Sequence, residues 1–280
     1  MDGAIRTCAI IPAYRAARTI GAVVSEARRH VETVVVVDDG SDDGSAEQLS
    51  GFGDSRVHAV LKPQRGGQAL ALNAGIEQAR GEWIAFLDDD DLWSPKKLRL
   101  QLDAGSSAAV GWVYAAAVVV DEKGGIVAAP PLADAGRIAW TLGRGNVIWG
   151  GDSNVVVRTE LLRMLGGFDE SLLCFEDWDL WIRLARSCRA ASCPEVLVAT
   201  LDHSDRMLFR SRLDVMAQFE RMLSKHRQIT RRDRLTVVEW LAEEHLRDDR
   251  RLQAARLYIG AALRFRSAGN LTAAAGALFG

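Results

Sequence analysis

The chain has 280 residues, 48% hydrophobic and 26% charged, the balance of a globular protein with room for one large α/β domain and an appendage. A formal net charge of -2 removes any global case for nucleic-acid binding. No uncharged apolar run reaches the ~18 residues of a membrane-spanning helix, and no basic-then-apolar leader is seen, so neither a span nor a secretory signal is expected.

The charge is uneven. From Leu201 onward 15 Lys/Arg face 10 Asp/Glu, whereas the first 200 residues carry 20 against 27. A basic tail region suits an anionic partner or a membrane surface; an ordinary charged helical surface is the simpler reading. Cys8, Cys174, Cys188 and Cys193 form no Cys-x-x-Cys pair and have little histidine beside them. That argues against a zinc site and fits a reducing compartment.

Along the chain, Thr7 to Ile11 reads as a short strand stopped by Pro12. Thr19 to His30 places Ile20, Val23, Val24 and Ala27 on one helical face. The β-branched run Thr33 to Val37 ends in Asp38-Asp39-Gly40-Ser41, and a helix follows from Ser45. Val57 to Leu61 is a third strand. Gly66-Gly67 opens a helix that Gly81 is expected to cap. Trp83 to Leu87 reads as a buried strand that delivers four consecutive aspartates, Asp88 to Asp91, ahead of a helix near Ser94-Pro95. Alternation of this kind predicts a parallel sheet covered on both faces. Ligands bind beyond the carboxyl ends of such strands, so Pro12-Ala13-Tyr14, Asp38 to Ser41 and Asp88 to Asp91 should gather along one edge.

Adjacent carboxylates raise one another's pKa unless something positive intervenes. A divalent cation with oxygen ligands, carrying a phosphorylated substrate, would answer that need. An acidic turn capping the next helix is the structural alternative.

The second half is less regular. Val110 to Val120 and Gly125 to Ala129 predict a hairpin, Asn154 to Arg158 a strand and Glu160 to Leu165 a helix. Gly166 to Asp169 forms a turn, Asp177 to Arg186 a helix and Val196 to Leu201 the last strand. Helices are expected over Leu213–His226, Arg234–His245, Arg250–Ala268 and Leu271–Leu278, the final two as an Ala-rich hairpin.

Six segments, in this order, resemble family 2 glycosyltransferases. They are Ile10 to Tyr14, Val36 to Ser45, Leu72 to Gly75, Gly81 to Asp91, Gly166 to Glu170 and Glu176 to Leu184. The likeness covers roughly residues 5 to 207. It implies a GT-A fold, Rossmann-like with a mostly parallel central sheet, over residues 1–210, and a helical C-terminal extension over 211–280.

The resemblance also implies roles. Asp90 is the expected direct ligand of Mg2+ or Mn2+, with Asp88 and Asp89 serving the ribose and the metal shell, and Asp91 left to cap the next helix. Asp39 resembles the aspartate that accepts a hydrogen bond from the nucleotide base; a turn or helix cap explains it too. Tyr14 would lie against the base, with Pro12 and Ala13 shaping that loop, or serve as loop packing. Gly67 would offer a free N–H to phosphate, or simply start its helix. Leu72 departs from the family, where a basic residue is common, which leaves Arg65 to help the diphosphate.

Asp177 matches the general base of an inverting reaction, with Glu176 in support; an acid-rich helix start is the alternative. Gly151, Asp152 and Trp178 are the expected acceptor side, although Trp at helical spacing also suits a core. His203 matches a histidine that can reach the metal, or is a solvated loop residue.

The implied reaction moves a sugar from a UDP-, dTDP- or GDP-linked donor to a saccharide or lipid-linked acceptor. It would take place in the cytoplasm, with peripheral contact at the inner membrane face and self-association through the C-terminal helices as further expectations. A non-catalytic nucleotide-sugar scaffold and a sugar nucleotidyltransferase are the alternatives. Asp177 argues against the first, and Pro12-Ala13-Tyr14-Arg15 is no Gly-rich phosphate loop of the second.

Overall fold

The computed structural model describes residues 7–202, 215–226, 229, 231–247 and 250–279. The first half alternates β1 (Cys8–Ala13), α1 (Ile20–Ala27), β2 (Thr33–Asp38), α2 (Ser45–Ser50), β3 (Val57–Leu61) and α3 (Gln68–Gln78). β1, β2 and β3 form a parallel ladder in which Ala13 stands opposite Asp38, and Asp38 opposite Leu61. Val34 and Val36 bury against Ile20 and Val24 of α1 and Leu49 of α2, with Ala27 packed beside them, whereas Val23, expected on the same face, is 45% exposed.

The fourth strand departs from the expected parallel ladder. β4 (Trp83–Ala85) is only three residues long and pairs antiparallel with β8 (Val156–Arg158). Phe86 drops into the core edge-on to Phe168, at 5.3 Å between centroids, while Leu87 turns outward. The chain therefore leaves the strand before the aspartates. Asp91 does not cap a helix: it opens β5 (Asp91–Trp93), opposite Thr200 of β9 (Arg189–Leu201). The next helix, α4, begins only at Lys97 (Lys97–Ala104).

β6 (Val110–Val120) and β7 (Ile126–Ala128) form the expected hairpin. The second sheet runs β4-β8-β6-β9-β5, parallel only between β6 and β9. Its helices are α5 (Ile138–Leu142), the one-turn α6 (Gly151–Asn154), α7 (Thr159–Met164) and α8 (Glu176–Ser187). The strand expected from Asn154 starts two residues later because Asn154 closes α6. The Asn154 side chain bonds Ala115 N, Ala115 O and Trp149 O at 2.7–2.8 Å.

Two tertiary clamps replace local signals. Gly81 does not cap α3, which ends at Gln78 with Ala79 extended. The Arg163 guanidinium of α7 takes the carbonyls of Ile76, Glu77 and Ala79 instead. Asn73 of α3 accepts from Phe168 N at 2.8 Å and donates to Phe168 O at 2.9 Å and Glu170 at 3.0 Å. Gly167, at φ 67, must be glycine there, because a Cβ would collide with the Asn73 amide. Two of the sequence motifs are thus each other's partners.

Beyond residue 215 lie α9 (Val215–Lys225), α10 (Arg231–Arg247), α11 (Arg251–Phe265) and α12 (Ala268–Phe279). They are not a detached unit. Phe219, Met222 and Leu223 of α9 and Val237, Val238 and Leu241 of α10 join the apolar cluster that holds Trp112, Trp178 and Trp181. Trp178 stacks on Phe219 at 6.0 Å and Trp112 on Trp181 at 6.2 Å.

A buried ionic knot ties α8 to α9. Asp179, fully buried, receives Arg183 Nε at 2.7 Å, Lys225 Nζ at 2.7 Å and His226 Nε2 at 2.8 Å. Lys225 also reaches Asp169 at 2.6 Å. Burial pushes the Asp179 carboxyl up, but the His226 hydrogen bond and the Arg183 and Lys225 charges outweigh it and hold it well below the usual carboxylate range. A depressed folded pKa adds stability that is complete above the unfolded value and is lost as pH falls through the folded one. Asp179→Asn is expected to cost about 3–5 kcal/mol at pH 7. In urea unfolding, the gap to wild type should narrow as pH drops below about 4. A gap that stayed constant or widened in acid would contradict the assignment.

Candidate active site

Three stretches of chain bring carboxylates to one place: Asp88 and Asp91 after β4, Asp152 in α6, and Glu176 and Asp177 at the start of α8. Ser153 fixes the first two stretches together. Its Oγ accepts from Asp88 N and its carbonyl from Trp93 Nε1, both at 2.8 Å. Phe175, at φ 65, takes the left-handed conformation immediately before α8, and its ring packs on Trp178 and Phe219. A non-glycine residue held there is locally costly, and the aromatic contacts over-determine it. Gly151, at φ 48, lies beside Asp177: a Cβ on it would stand 3.9 Å from Asp177 Oδ2.

The electrostatics set this pocket apart. Burial, then the charges of Asp91, Asp90 and Asp177, push Asp88 up to about 7. Burial and Asp177 push Glu176 up to about 7. Burial, then Asp88, Asp177 and Glu176, push Asp152 well above the carboxylate range, and its Oδ1 is buried with no partner among the described residues. Burial also raises Asp177, opposed by hydrogen bonds from Trp178 N at 2.6 Å and from Asn146 Nδ2 at 2.9 Å. One pocket thus holds carboxylates poised near neutrality, which suits proton transfer or a cation.

Among the described residues, no three His, Cys, Asp or Glu side chains are placed to hold a metal by themselves. A magnesium-type ion does not need such a cage, since one or two carboxylates and substrate phosphates hold it. Asp89 and Asp90 stand exposed in the turn before β5, and the orphaned oxygen of Asp152 and the raised Asp88 call for positive charge. The residues fit a cation that arrives with a phosphate ligand.

The edge formed by β1 and β2 is built differently from expectation. Asp39 N donates to Ala13 O at 2.8 Å, so Asp39 sits beside the Pro12-Ala13-Tyr14 loop as expected. Its buried carboxylate, however, accepts from Gly66 N at 3.0 Å and Gly67 N at 2.8 Å, and pairs with Lys62 at 2.9 Å. The N–H of Gly67 is therefore not free for phosphate: it secures the loop that follows β3. Gly40, at φ 73, lets that loop pass, since a Cβ on it would strike the Gln64 backbone. Tyr14 is half-buried, and Arg65 lies over its ring at 4.4 Å, which puts this cation beside the Pro12-Ala13-Tyr14 loop.

Trp178 is corrected as an acceptor platform. It is buried, stacked on Phe219, with Nε1 donating to Leu142 O at 2.9 Å. Asp152 and Gly151, expected on the acceptor side, stand with the carboxylates. His203 lies outside the described residues. Asn146, Ser153 and Lys62 were missed. Asn146 and Lys62 lie in loops and Ser153 inside the one-turn α6, and only the partner of each in space reveals it.

Two family models match the chain: "Glycosyl transferase family 2" over residues 8–130 and "Glycosyltransferase like family 2" over residues 139–254. The putative teichuronic acid biosynthesis glycosyltransferase TuaG of Bacillus subtilis is 37% identical over 100 residues, 34% of this chain and 39% of that protein. The Escherichia coli protein WfgD, a UDP-Glc:alpha-D-GlcNAc-diphosphoundecaprenol beta-1,3-glucosyltransferase, is 32% identical over 108 residues, 38% of this chain and 43% of that one. These matches span less than half the length of either relative. S. aureus TarS 1-349 in complex with UDP-GlcNAc superposes with a TM-score of 0.53 at 17% identity, over 93% of this chain and 73% of that one. Matched through both halves and sharing the GT-A-like architecture, with helices at its C-terminal end, the chain belongs to the family 2 glycosyltransferases.

Proposed function

We propose that the protein transfers a sugar from a nucleoside diphosphate sugar to an acceptor hydroxyl by a single, inverting displacement, in the assembly of a polysaccharide or glycolipid. The observation that carries this reading is Asp177: half-buried, raised in pKa by desolvation, and held by Asn146 and Trp178 N–H among the other carboxylates. A carboxylate with its pKa moved toward neutrality is a stronger base, suited to taking the acceptor proton as the hydroxyl attacks. Glu176 beside it keeps the pocket acidic and borders the acceptor. A β-linked product from an α-linked donor follows from the single displacement.

The proposed cation is Mg2+ or Mn2+. When bound, it stabilises the diphosphate leaving group as a Lewis acid. Asp90 would hold it, with Asp88 and Asp89 serving the ribose and the ion's shell. Tyr14, Asp39 and Arg65 border the nucleotide, and UDP leads the donor candidates because TarS structures hold UDP and UDP-GlcNAc. Residues 1–210 form the transferase unit and 211–280 the extension, whose Phe219, Lys225 and His226 brace α8. Four free cysteines fit a reducing, cytoplasmic setting.

Asp177→Asn is expected to slow transfer by about 10²–10⁴-fold while UDP-sugar affinity is retained. Single-turnover assays and calorimetry check this, and wild-type turnover in the variant would remove Asp177 from the mechanism. Asp90→Ala should abolish the extra thermal shift that Mn2+ adds to UDP-sugar binding; an unchanged shift would sink the metal assignment. Raised carboxyl groups carry the opposite linkage from Asp179: the native state loses stability as pH rises from about 4, the unfolded carboxylate value, through about 7, where Asp88 and Glu176 ionise. Asp152→Asn should therefore raise the Tm of the ligand-free protein more at pH 8 than at pH 5. Equal shifts at both pH values would show that Asp152 bears no ionisation penalty.

A further inference from the structure

The last two helices carry a surface that the transfer reaction does not use. From Arg250 to Gly280 the sequence has five arginines and no acidic residue. The inner face of α11, with Ala254, Ala255 and Tyr258, buries against Ala274 and Ala277 of α12. The outer face is a stripe at helical spacing: Leu252, Arg256, Ile259, Leu263 and then Arg266 just past the last turn, all exposed. Leu252 is 64% and Leu263 76% exposed, which no core requirement explains. Neither Arg256 nor Arg266 forms an ion pair among the described residues, whereas Arg264, off the stripe, is held by Glu220 at 3.0 Å. α12 has no charged side chain at all, yet leaves Leu271 and Leu278, seven residues apart on one face, in the open.

We infer that the α11–α12 hairpin is a docking surface for an anionic phospholipid bilayer. Charge complementarity selects this occupant. A second copy packed by a two-fold axis would set Arg256 and Arg266 against themselves, with no acid in the hairpin to answer them. A lipid interface answers both parts of the stripe. Leucine and isoleucine enter the acyl boundary while the arginine heads extend to phosphate groups. No described helix is long and apolar enough to cross a membrane, so the hairpin lies along the surface.

The test is co-sedimentation of the full chain with vesicles of phosphatidylcholine alone and of phosphatidylcholine mixed with phosphatidylglycerol. Binding is expected only to the mixed vesicles, and it should fall as salt rises. The double variant Arg256→Gln, Arg266→Gln should weaken it by about fivefold per arginine removed. Leu263→Gln, on an exposed site that leaves the Tm unchanged, should weaken it as well. Failure to pellet with mixed vesicles overturns the inference. So does equal binding to both vesicle types, or capture by soluble polyglutamate with the vesicles left unoccupied. A dimer in analytical ultracentrifugation that Leu263→Gln dissociates, without vesicle binding, assigns the surface to a second copy and also overturns it.

Discussion

Asp88, Asp91, Asp152, Glu176 and Asp177 repel one another, and the rest of the molecule has to hold them together. Ionised carboxylates in a partly dehydrated pocket cost free energy that only a cation, a proton or a rigid scaffold can offset. The described residues supply the scaffold. Ser153 pins Asp88 to α6, Asn146 and the Trp178 N–H hold Asp177, and Phe175 accepts a left-handed backbone so that α8 can begin there. Burial and mutual repulsion leave Asp88, Asp152 and Glu176 with raised pKa values, the electrostatic signature on which the proposed proton transfer and cation binding rest.

The cost is met in the core and in the helices that follow the sheets. Trp178 and Asp179, the two residues after the candidate base, anchor α8 in opposite ways. Trp178 stacks on Phe219 of α9, and Asp179 collects Arg183, Lys225 and His226. Within three residues one carboxylate is driven up in pKa by burial, and another is driven down by the His226 hydrogen bond and the Arg183 and Lys225 charges. Neighbouring positions in sequence thus sit in opposite fields, because successive helical residues face different directions.

The α/β half was legible because its signals are local. Apolar runs at strand length, helices at 3.6-residue spacing and Gly/Asp turns predicted β1 to α3 within a few residues at each end. The signals failed where a distant group did the work of a local one. Arg163 terminated α3 in place of Gly81, and β8 took β4 as an antiparallel partner. Asp91 entered a strand because β9 offered it a ladder, not because its own neighbours favour one.

The sequence by itself determined the order of the six motifs that resemble the family and pointed to Asp88, Glu176 and Asp177 as site acids, since these rest on residue type and order, but it read Asp91 as a helix cap and Asp152 as an acceptor-side residue. Tertiary structure alone decided what each acid faces. It spent the Asp39 carboxylate on Gly66, Gly67 and Lys62, moved Trp178 into the core, and left an oxygen of Asp152 unpartnered among its neighbours. The physical reason is that burial and electrostatic fields are properties of surroundings, and those surroundings come from segments remote in the chain.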